Sequence, residues 1–499
     1  MQYFILFSSG ASLTLAYSPF DFWPITFFAL AILFRTIVRA SSARSAAKAG
    51  FVFGLGWFAV GISWVHIAIA DFGGLPLILS LLLMLLLVSY LAIYPALCGY
   101  LTYKWQTKLG VFALIPAWMI TEWLRSWMLT GFPWLSVGYS QLYSPLSAFA
   151  PVIGEFGLQL LVVTLAVCTL CLRKTALSAL TTLAIACVFL NQLTWYQKSS
   201  DKINIALVQG NIEQSVKWQP ENELPTMKKY FELTLPHLES ADLIVWPEAA
   251  IPKLEILAND FLVDLDRIAN ENNTALITGI VDYQPDTNLA FNNLVVLGNK
   301  QGDDTYGHYK YLDNNRYSKH HLLPIGEFVP FESVLRHLAP IFNLPMSSFS
   351  RGSYVQENLI ANGLNINSAI CFEIAFASQV KANLYHDSDM ILTVSNDAWF
   401  GDSHGPWQHL QIAQMRALEF AKPVIRVTNN GITAVIDETG NITNMLAQNE
   451  AAVLTQELTM SQANTFYSHW GNIPVWFSLF ISSLLAMLQQ RRSQAKNIR

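Results

Sequence analysis

Charge is scarce in this 499-residue chain: 13% of its residues are Asp, Glu, Lys or Arg, against 53% that are apolar. Soluble globular chains carry about 25% charged residues, so a wholly soluble protein is excluded. The length argues for more than one domain. Basic residues are outnumbered 30 to 35, for a net charge of −5, and no basic block or aromatic-interleaved basic patch occurs. Nucleic-acid binding is therefore not expected. Cysteine is scarce as well. Four of the five, Cys98, Cys168, Cys171 and Cys187, lie inside long apolar runs, which leaves Cys371 with no disulfide partner in the rest of the chain. No internal repeat or low-complexity stretch is evident. Residues 1–19 lack the positive start and the cleavage site of a signal peptide and read as a retained membrane helix.

The apolar residues are concentrated at 1–195 and 473–489. A helix needs about 20 apolar residues to cross the hydrocarbon core, and candidate spans fall near 3–18, 22–38, 51–70, 75–100, 110–127, 146–171, 175–195 and 473–489. Loop charges give their direction. Arg35, Arg39, Arg44 and Lys48 follow the second span, Lys104 and Lys108 the fourth, Arg173 and Lys174 the sixth, and Arg491, Arg492, Lys496 and Arg499 the last. Asp71 and Arg125 are the main charges of the alternate loops. Under the positive-inside rule the basic loops and both termini are cytoplasmic. The expected organisation is a transmembrane domain of about seven helices at 1–195, an extracytoplasmic domain at 196–472, a closing span at 473–489 and a cytoplasmic tail at 490–499. In a bacterium the middle domain would face the periplasm. The loop 128–145, rich in Trp, Tyr, Phe, Gly and Pro, reads as an interfacial aromatic belt or a lipid entry. Glu122 and Glu155 lie near membrane depth, where carboxylates are functional candidates.

From 203 the pattern changes to strands alternating with helices. Apolar strand-like runs occupy 203–211, 241–250, 274–283, 291–299, 364–372, 389–400, 423–437 and a last pair over 440–458. Helical patterns cover 221–239, 258–272 and 406–421. Near-continuous apolar strands interspersed with helices predict an α/β sandwich with a covered sheet.

Three residues stand at the ends of such runs: Glu248 after LIVWP, Lys319 in RYSKHHLLPIGEFVP, and Cys371 after NSAI. The run containing Leu364, Ile366, Ala369 and Ile370 breaks at the cysteine and continues as a helix-compatible segment, which puts a thiol on a sharp turn at the end of a buried strand. A thiol needs a base or a cation beside it to become a nucleophile. A partly buried carboxylate can accept its proton, and a lysine can stabilise a developing oxyanion. Singly, each also reads as a core cysteine, a surface glutamate and a solvated lysine. His320 and His321 have no third ligand at sensible spacing, so no metal site is expected.

In combination, WPEAA, YSKHHLLPIGEF and ICFE resemble the glutamate, lysine and cysteine motifs of the nitrilase (carbon-nitrogen hydrolase) superfamily, and NDAWFG at 396–401 resembles its following strand and loop. That resemblance implies an α-β-β-α sandwich with Glu248, Lys319 and Cys371 as a catalytic triad and Glu327 as an assisting glutamate. It places Trp218, Asn292, Phe372 and Glu373 near the site, with Trp399 and Phe400 along an acyl path or in the core. Several N-terminal spans, an extracytoplasmic nitrilase-like domain and a closing span together resemble the bacterial apolipoprotein N-acyltransferases of the inner membrane, as does GFPWLSVGYSQ. That family implies a phospholipid donor, typically phosphatidylethanolamine, a thioester on Cys371, and as acceptor the α-amine of the S-diacylglyceryl N-terminal cysteine of an apolipoprotein. This is a ping-pong scheme with no cofactor. A membrane-anchored amidase would use the same triad on a soluble substrate, and a transporter with an accessory domain is the non-enzyme alternative.

Overall fold

Two periodicities divide the chain, a helical one in its first 190 residues and at its end, and an alternating one between. The computed structural model describes all residues except 73–75, 172, 325, 329–348 and 498–499, with the side chains of 71–72, 171, 173–179, 489 and 491–497 also outside the described set. Asp71, Arg173, Lys174, Arg491, Arg492, Lys496 and Arg499, which carry part of the charge asymmetry, and Ile325, Val329 and Pro330 of the lysine motif therefore lie outside it.

The chain forms two compact units: Met1–His66 with Pro76–Thr194 and Thr465–Arg499, and Ile67–Leu75 with Trp195–Asn464. The first is helical. Helices Gln2–Ser12, Ile25–Val38, Ala43–Gly61, Leu77–Leu109, Leu114–Arg125, Ala150–Cys171, Arg173–Leu190 and Ile473–Asn497 overlie the eight expected spans. Among the described residues, two stretches are long and apolar enough to cross a membrane, Leu77–Arg125 and Pro145–Leu170, while Ile25–Val38, Leu180–Leu190 and Ile473–Leu488 are shorter apolar helices. The others fall short for visible reasons. The first helix has eleven residues, and Ala43–Gly61 opens with Arg44 and Lys48. Small residues let the helices approach closely: a Cβ on Gly50 would lie 2.0 Å from the Pro95 carbonyl oxygen, and one on Gly99 2.3 Å from that of Ala46.

The loop after Leu114–Arg125 is divided, with Trp134, Leu135, Val137 and Tyr139 buried and Met128, Leu129 and Tyr143 exposed. Arg125 is not a loop charge. It is buried, pairs with Glu122, and donates to the carbonyls of Phe132 and Trp134. Glu155 accepts from Ser136. Both intramembrane candidates are thus tied into the packing of this loop.

The second unit is an α-β-β-α sandwich, as expected for a nitrilase-like domain. Its strands are β1 (Tyr196–Gln209), β2 (Leu243–Val245), β3 (Ile251–Leu254), β4 (Ala275–Gln284), β5 (Leu289–Gly298), β6 (Arg316–Ser318), β7 (Leu359–Ala361), β8 (Leu364–Ile370), β9 (Met390–Ser395), β10 (Val424–Thr428), β11 (Ala434–Ile436), β12 (Ile442–Met445) and β13 (Ala452–Ala463). One sheet runs β13-β1-β2-β4-β5-β6 with β3 beside β4; the other runs β12-β11-β10-β9-β8-β7. At the centres the pairing is parallel, β1-β2-β4 in the first and β8-β9-β10 in the second. Alternation assigns the faces. Ile205 and Leu207 join Val245, Ile277, Ile366, Leu392 and Ile425 between the sheets. Ala206 and Val208 face outward with Ile244 and Leu276, under the helices Pro220–Thr234 and Asn259–Glu271. The helix Gly405–Phe420 follows β9 and leads into β10. The apolar run at 423–437 is two strands, because the chain reverses through 429–433 and pairs β10 with β11 antiparallel.

Candidate active site

β8 ends at Ile370, and Cys371 takes the left-handed conformation, φ +56°, before the turn Cys371–Ala375. A non-glycine residue rarely sits there, and it throws the thiol off the strand end. Glu248 stands at the matching position past β2. Ala249 after it is also left-handed, φ +46°. A Cβ on Gly279 of β4 would lie 2.4 Å from the Ala249 nitrogen and 2.6 Å from the Pro247 oxygen, so this glycine admits the Glu248 turn against the sheet. Lys319 follows β6, its N–H donating to the Asn292 carbonyl at 2.9 Å.

These residues meet in one buried network. Lys319 Nζ is 3.1 Å from Glu248 Oε1 and 2.8 Å from Glu327 Oε1. Asn292 Nδ2 donates to the same two oxygens at 2.8 and 3.2 Å. The Asn396 N–H donates to Glu248 Oε2 at 3.0 Å, and the Leu323 N–H to Glu327 Oε2 at 2.8 Å. Burial alone would lower the Lys319 pKa, but the facing carboxylates of Glu248 and Glu327 hold it well above its ordinary value. Burial first, and the Glu248 carboxylate next, push the Cys371 thiol up to about 12, with Lys319 opposing them. The resting thiol therefore holds its proton, within the field of both the carboxylate and the ammonium.

Glu373 lies under the elbow and is a clamp. Its Oε1 accepts from the N–H groups of His320 and His321 at 2.7 and 3.0 Å and from Gln379 at 3.0 Å. Its Oε2 accepts from the Ile370 N–H at 2.8 Å and the Tyr317 hydroxyl at 3.0 Å. One carboxylate thus ties the residue before Cys371 to the two residues after Lys319. The imidazoles of His320 and His321 direct Nδ1 to the Gly352 carbonyl and to Gln379, respectively.

The aromatic candidates are placed less tightly. Phe372 is buried edge-on to Phe376, their centroids 5.1 Å apart. Trp399 and Phe400 are half-buried in the turn Asp397–Phe400. Trp218 is half-buried and caps the short helix Gln214–Lys217. Its neighbour Lys217 enters the site instead: fully buried, it donates from Nζ to the Glu248 carbonyl at 3.3 Å, and burial lowers its pKa to about 8. Lys217, Asn396, Asp397, His409 and Arg426 are the residues sequence reasoning passed over. NDAWFG was singled out, but nothing in its spacing shows that a main-chain N–H of Asn396 reaches Glu248.

A buried carboxylate held by a lysine and facing a protonated thiol on a strained turn can take the thiol proton as the sulfur attacks a carbonyl carbon, while the ammonium stabilises the oxygen. Residues 9–168 match the family described as Apolipoprotein N-acyltransferase N-terminal domain, and residues 204–467 match the Carbon-nitrogen hydrolase family. Proteins named apolipoprotein N-acyltransferase are similar to the chain over almost its full length. That of Vibrio cholerae is 45% identical, covering 97% of this chain and 96% of its own. That of Vibrio parahaemolyticus is 46% identical over the same shares, 97% and 96%. That of Shewanella oneidensis is 45% identical, covering 98% and 96%. With 45% identity over almost the full length of both chains, and coverage of both units, the chain belongs to the apolipoprotein N-acyltransferase family.

Proposed function

We propose that this protein moves a fatty acyl chain from a phospholipid, typically phosphatidylethanolamine, to the α-amine of the S-diacylglyceryl cysteine that begins an apolipoprotein. The observation that carries the reading is the buried Glu248–Lys319–Glu327 network facing Cys371 at a left-handed turn. Glu248 accepts the Cys371 proton as Sγ bonds to the ester carbonyl carbon. Lys319 and the Phe372 N–H stabilise the oxyanion. The carbon–oxygen bond breaks, the proton passes to the leaving alkoxide, and lysophospholipid departs from the thioester. The amine then attacks, its proton goes to Glu248, the carbon–sulfur bond breaks, and the thiol recovers the proton. Glu327 and Asn292 hold Lys319 and Glu248; Glu373 holds the two motifs together; Trp399 and Phe400 bound the acyl path, with Trp218 and Phe372 near the active site.

Both substrates are lipid-anchored, which gives a membrane domain a purpose: a site beside the bilayer meets them without extracting either from it. The helices of 1–195 and 473–489 span the inner membrane in this reading, and 196–472 faces the periplasm. Excluding water matters because a thioester open to it hydrolyses.

Incubation with phosphatidylethanolamine and no acceptor should add the mass of one acyl chain to Cys371, removable by neutral hydroxylamine and absent in Cys371→Ala. A diacylglyceryl peptide with a free amine should discharge it, and the amine-blocked peptide should not. An adduct on another residue would overturn the reading. Discharge by water as fast as by the amine would make the protein a membrane-anchored amidase or hydrolase.

A further inference from the structure

Beneath the elbow lies a group of buried side chains to which the chemistry above assigns no part. The helix Gly405–Phe420 carries His409, fully buried, with Nε2 3.1 Å from the Cys371 carbonyl oxygen. Its Nδ1 is 3.2 Å from an Arg426 Nη2 and 3.2 Å from Asp397 Oδ1. The same Arg426 nitrogen pairs with Asp397 Oδ2, and the Ser395 hydroxyl donates to Asp397 Oδ1 at 2.6 Å. A carbonyl only accepts, so the nitrogen facing it carries the hydrogen. Nδ1 then holds the lone pair and accepts from Arg426. Burial, and next the Arg426 charge, lower the imidazole pKa, which agrees with a neutral ring fixed in this one tautomer.

The bond falls on a consequential peptide. The carbonyl of Cys371 and the N–H of Phe372 belong to one planar trans unit and point in opposite directions. Pinning the carbonyl toward His409 therefore aims the Phe372 N–H away from the helix. That N–H is the main-chain donor of the proposed oxyanion site. The left-handed turn at Cys371 persists only if its surroundings hold it. Glu373 fixes the entry through the Ile370 N–H, and His409 is placed to fix the exit.

We propose that His409, oriented by Arg426 and Asp397, is a positioning residue that sets the Cys371–Phe372 peptide and so aims the oxyanion donor. The inference rests on Cys371 as the nucleophile. Asparagine places its amide nitrogen near the Nδ1 position and glutamine near Nε2, so the two variants divide the ring's contacts. His409→Asn keeps a polar group toward Arg426 and Asp397 but falls short of the Cys371 carbonyl. His409→Gln reaches it. The measurement is single-turnover acylation of Cys371 by phosphatidylethanolamine in micelles, followed by intact mass over a range of donor concentrations, with thermal midpoints recorded alongside. His409→Asn should acylate about 10- to 100-fold more slowly at saturating donor, as a misaimed group does, with the half-saturating concentration unchanged. His409→Gln should stay within about threefold of the parent, its carbonyl bond being kept. Equal loss in both, or parental speed in His409→Asn, overturns the inference while leaving Cys371 as nucleophile. If His409→Asn fails to fold, a His409→Gln rate below about a tenth of the parent overturns it by itself. A parent that forms no adduct on Cys371 overturns the mechanism and this inference with it.

Discussion

Glu248→Gln should make Cys371 more reactive toward a simple alkylating agent while stopping acyl transfer. Burial comes first among the causes that push the thiol up to about 12, and the Glu248 carboxylate second. At pH 8 such a thiol is ionised in about one molecule in 10⁴, against about a quarter for an ordinary thiol. Iodoacetamide should thus label the parent's Cys371 about 10³-fold more slowly than a free cysteine, since the thiolate is the nucleophile. The rate should rise about tenfold per pH unit through pH 9, with no plateau. The amide removes the negative charge. A neighbouring charge commonly moves a pKa by about one to three units, so labelling of Glu248→Gln at pH 8 should rise at least about tenfold. Transfer should fall by about 10²- to 10⁴-fold, the usual weight of a lost general base. Lys319→Met provides the complementary sign: its ammonium lowers the thiol pKa, so labelling should slow along with transfer. Peptide mapping must isolate Cys371, because Cys98, Cys168 and Cys187 are also free thiols. If Glu248→Gln labels more slowly than the parent, Glu248 is not what holds the proton on the resting thiol.

Lys319→Ala should lose about 3–4 kcal/mol of transition-state stabilisation in acylation, as one strong electrostatic contact does, read as the single-turnover rate in micelles. Glu373→Gln replaces an oxygen that faces only donors with an amide nitrogen, and at least one buried N–H loses its acceptor. About 2–3 kcal/mol of stability should go with it, visible as a lower thermal midpoint; a midpoint equal to the parent's would refute the clamp. Ser41→Cys and Thr107→Cys, both at exposed positions, should label only from the cytoplasmic side, and Lys228→Cys only from outside. Cytoplasmic labelling at 228 would reject the periplasmic placement.

Some of this architecture is local in sequence and some is not. The interior strands were legible because they are long or continuously apolar, β1, β4 and β5 above all. β3, β6 and β7 have three or four residues each, too few to show a period, and β6 is the strand that delivers Lys319. Cys371 was legible because a strand pattern breaks at it. The residues that hold it were not. His409 bonds its carbonyl from 38 positions downstream, and Asn396 reaches Glu248 across 148. The first depends on how a helix lies over its own sheet and the second on how the two sheets stack, and no window of residues encodes either. Arg125 misled for a different reason. Its partner Glu122 lies one helical turn before it, so a charge counted toward topology is neutralised inside the helical unit.

The charges of the site bear on why the thiol waits in its neutral form. Glu248 and Glu327 are matched by Lys319, which touches both, and by Lys217 at the Glu248 carbonyl. Asp397 is matched by Arg426, which holds its carboxyl well below the usual range against the opposing effect of burial. A thiolate would add a negative charge to a balanced, buried set, and burying an unpaired charge is costly. In the proposed mechanism, moving the proton from Cys371 to Glu248 as the carbon–sulfur bond forms avoids that state. Negative charge then appears on the substrate oxygen, where the Phe372 N–H and the Lys319 ammonium can meet it, and not on the sulfur. Lys319 freed from Glu248 by that protonation has one carboxylate fewer to satisfy, so its attraction for the oxyanion is greatest at the moment the oxyanion exists. In this arrangement Glu327 keeps the ammonium anchored throughout. Removing its charge alone, in Glu327→Gln, should therefore slow acylation while raising labelling of Cys371 less than Glu248→Gln does, because Glu248 is first among the charges that raise the thiol. Equal gains in labelling from the two variants would mean that the carboxylates act on the thiol as one charge, and that Glu248 has no separate role as the base.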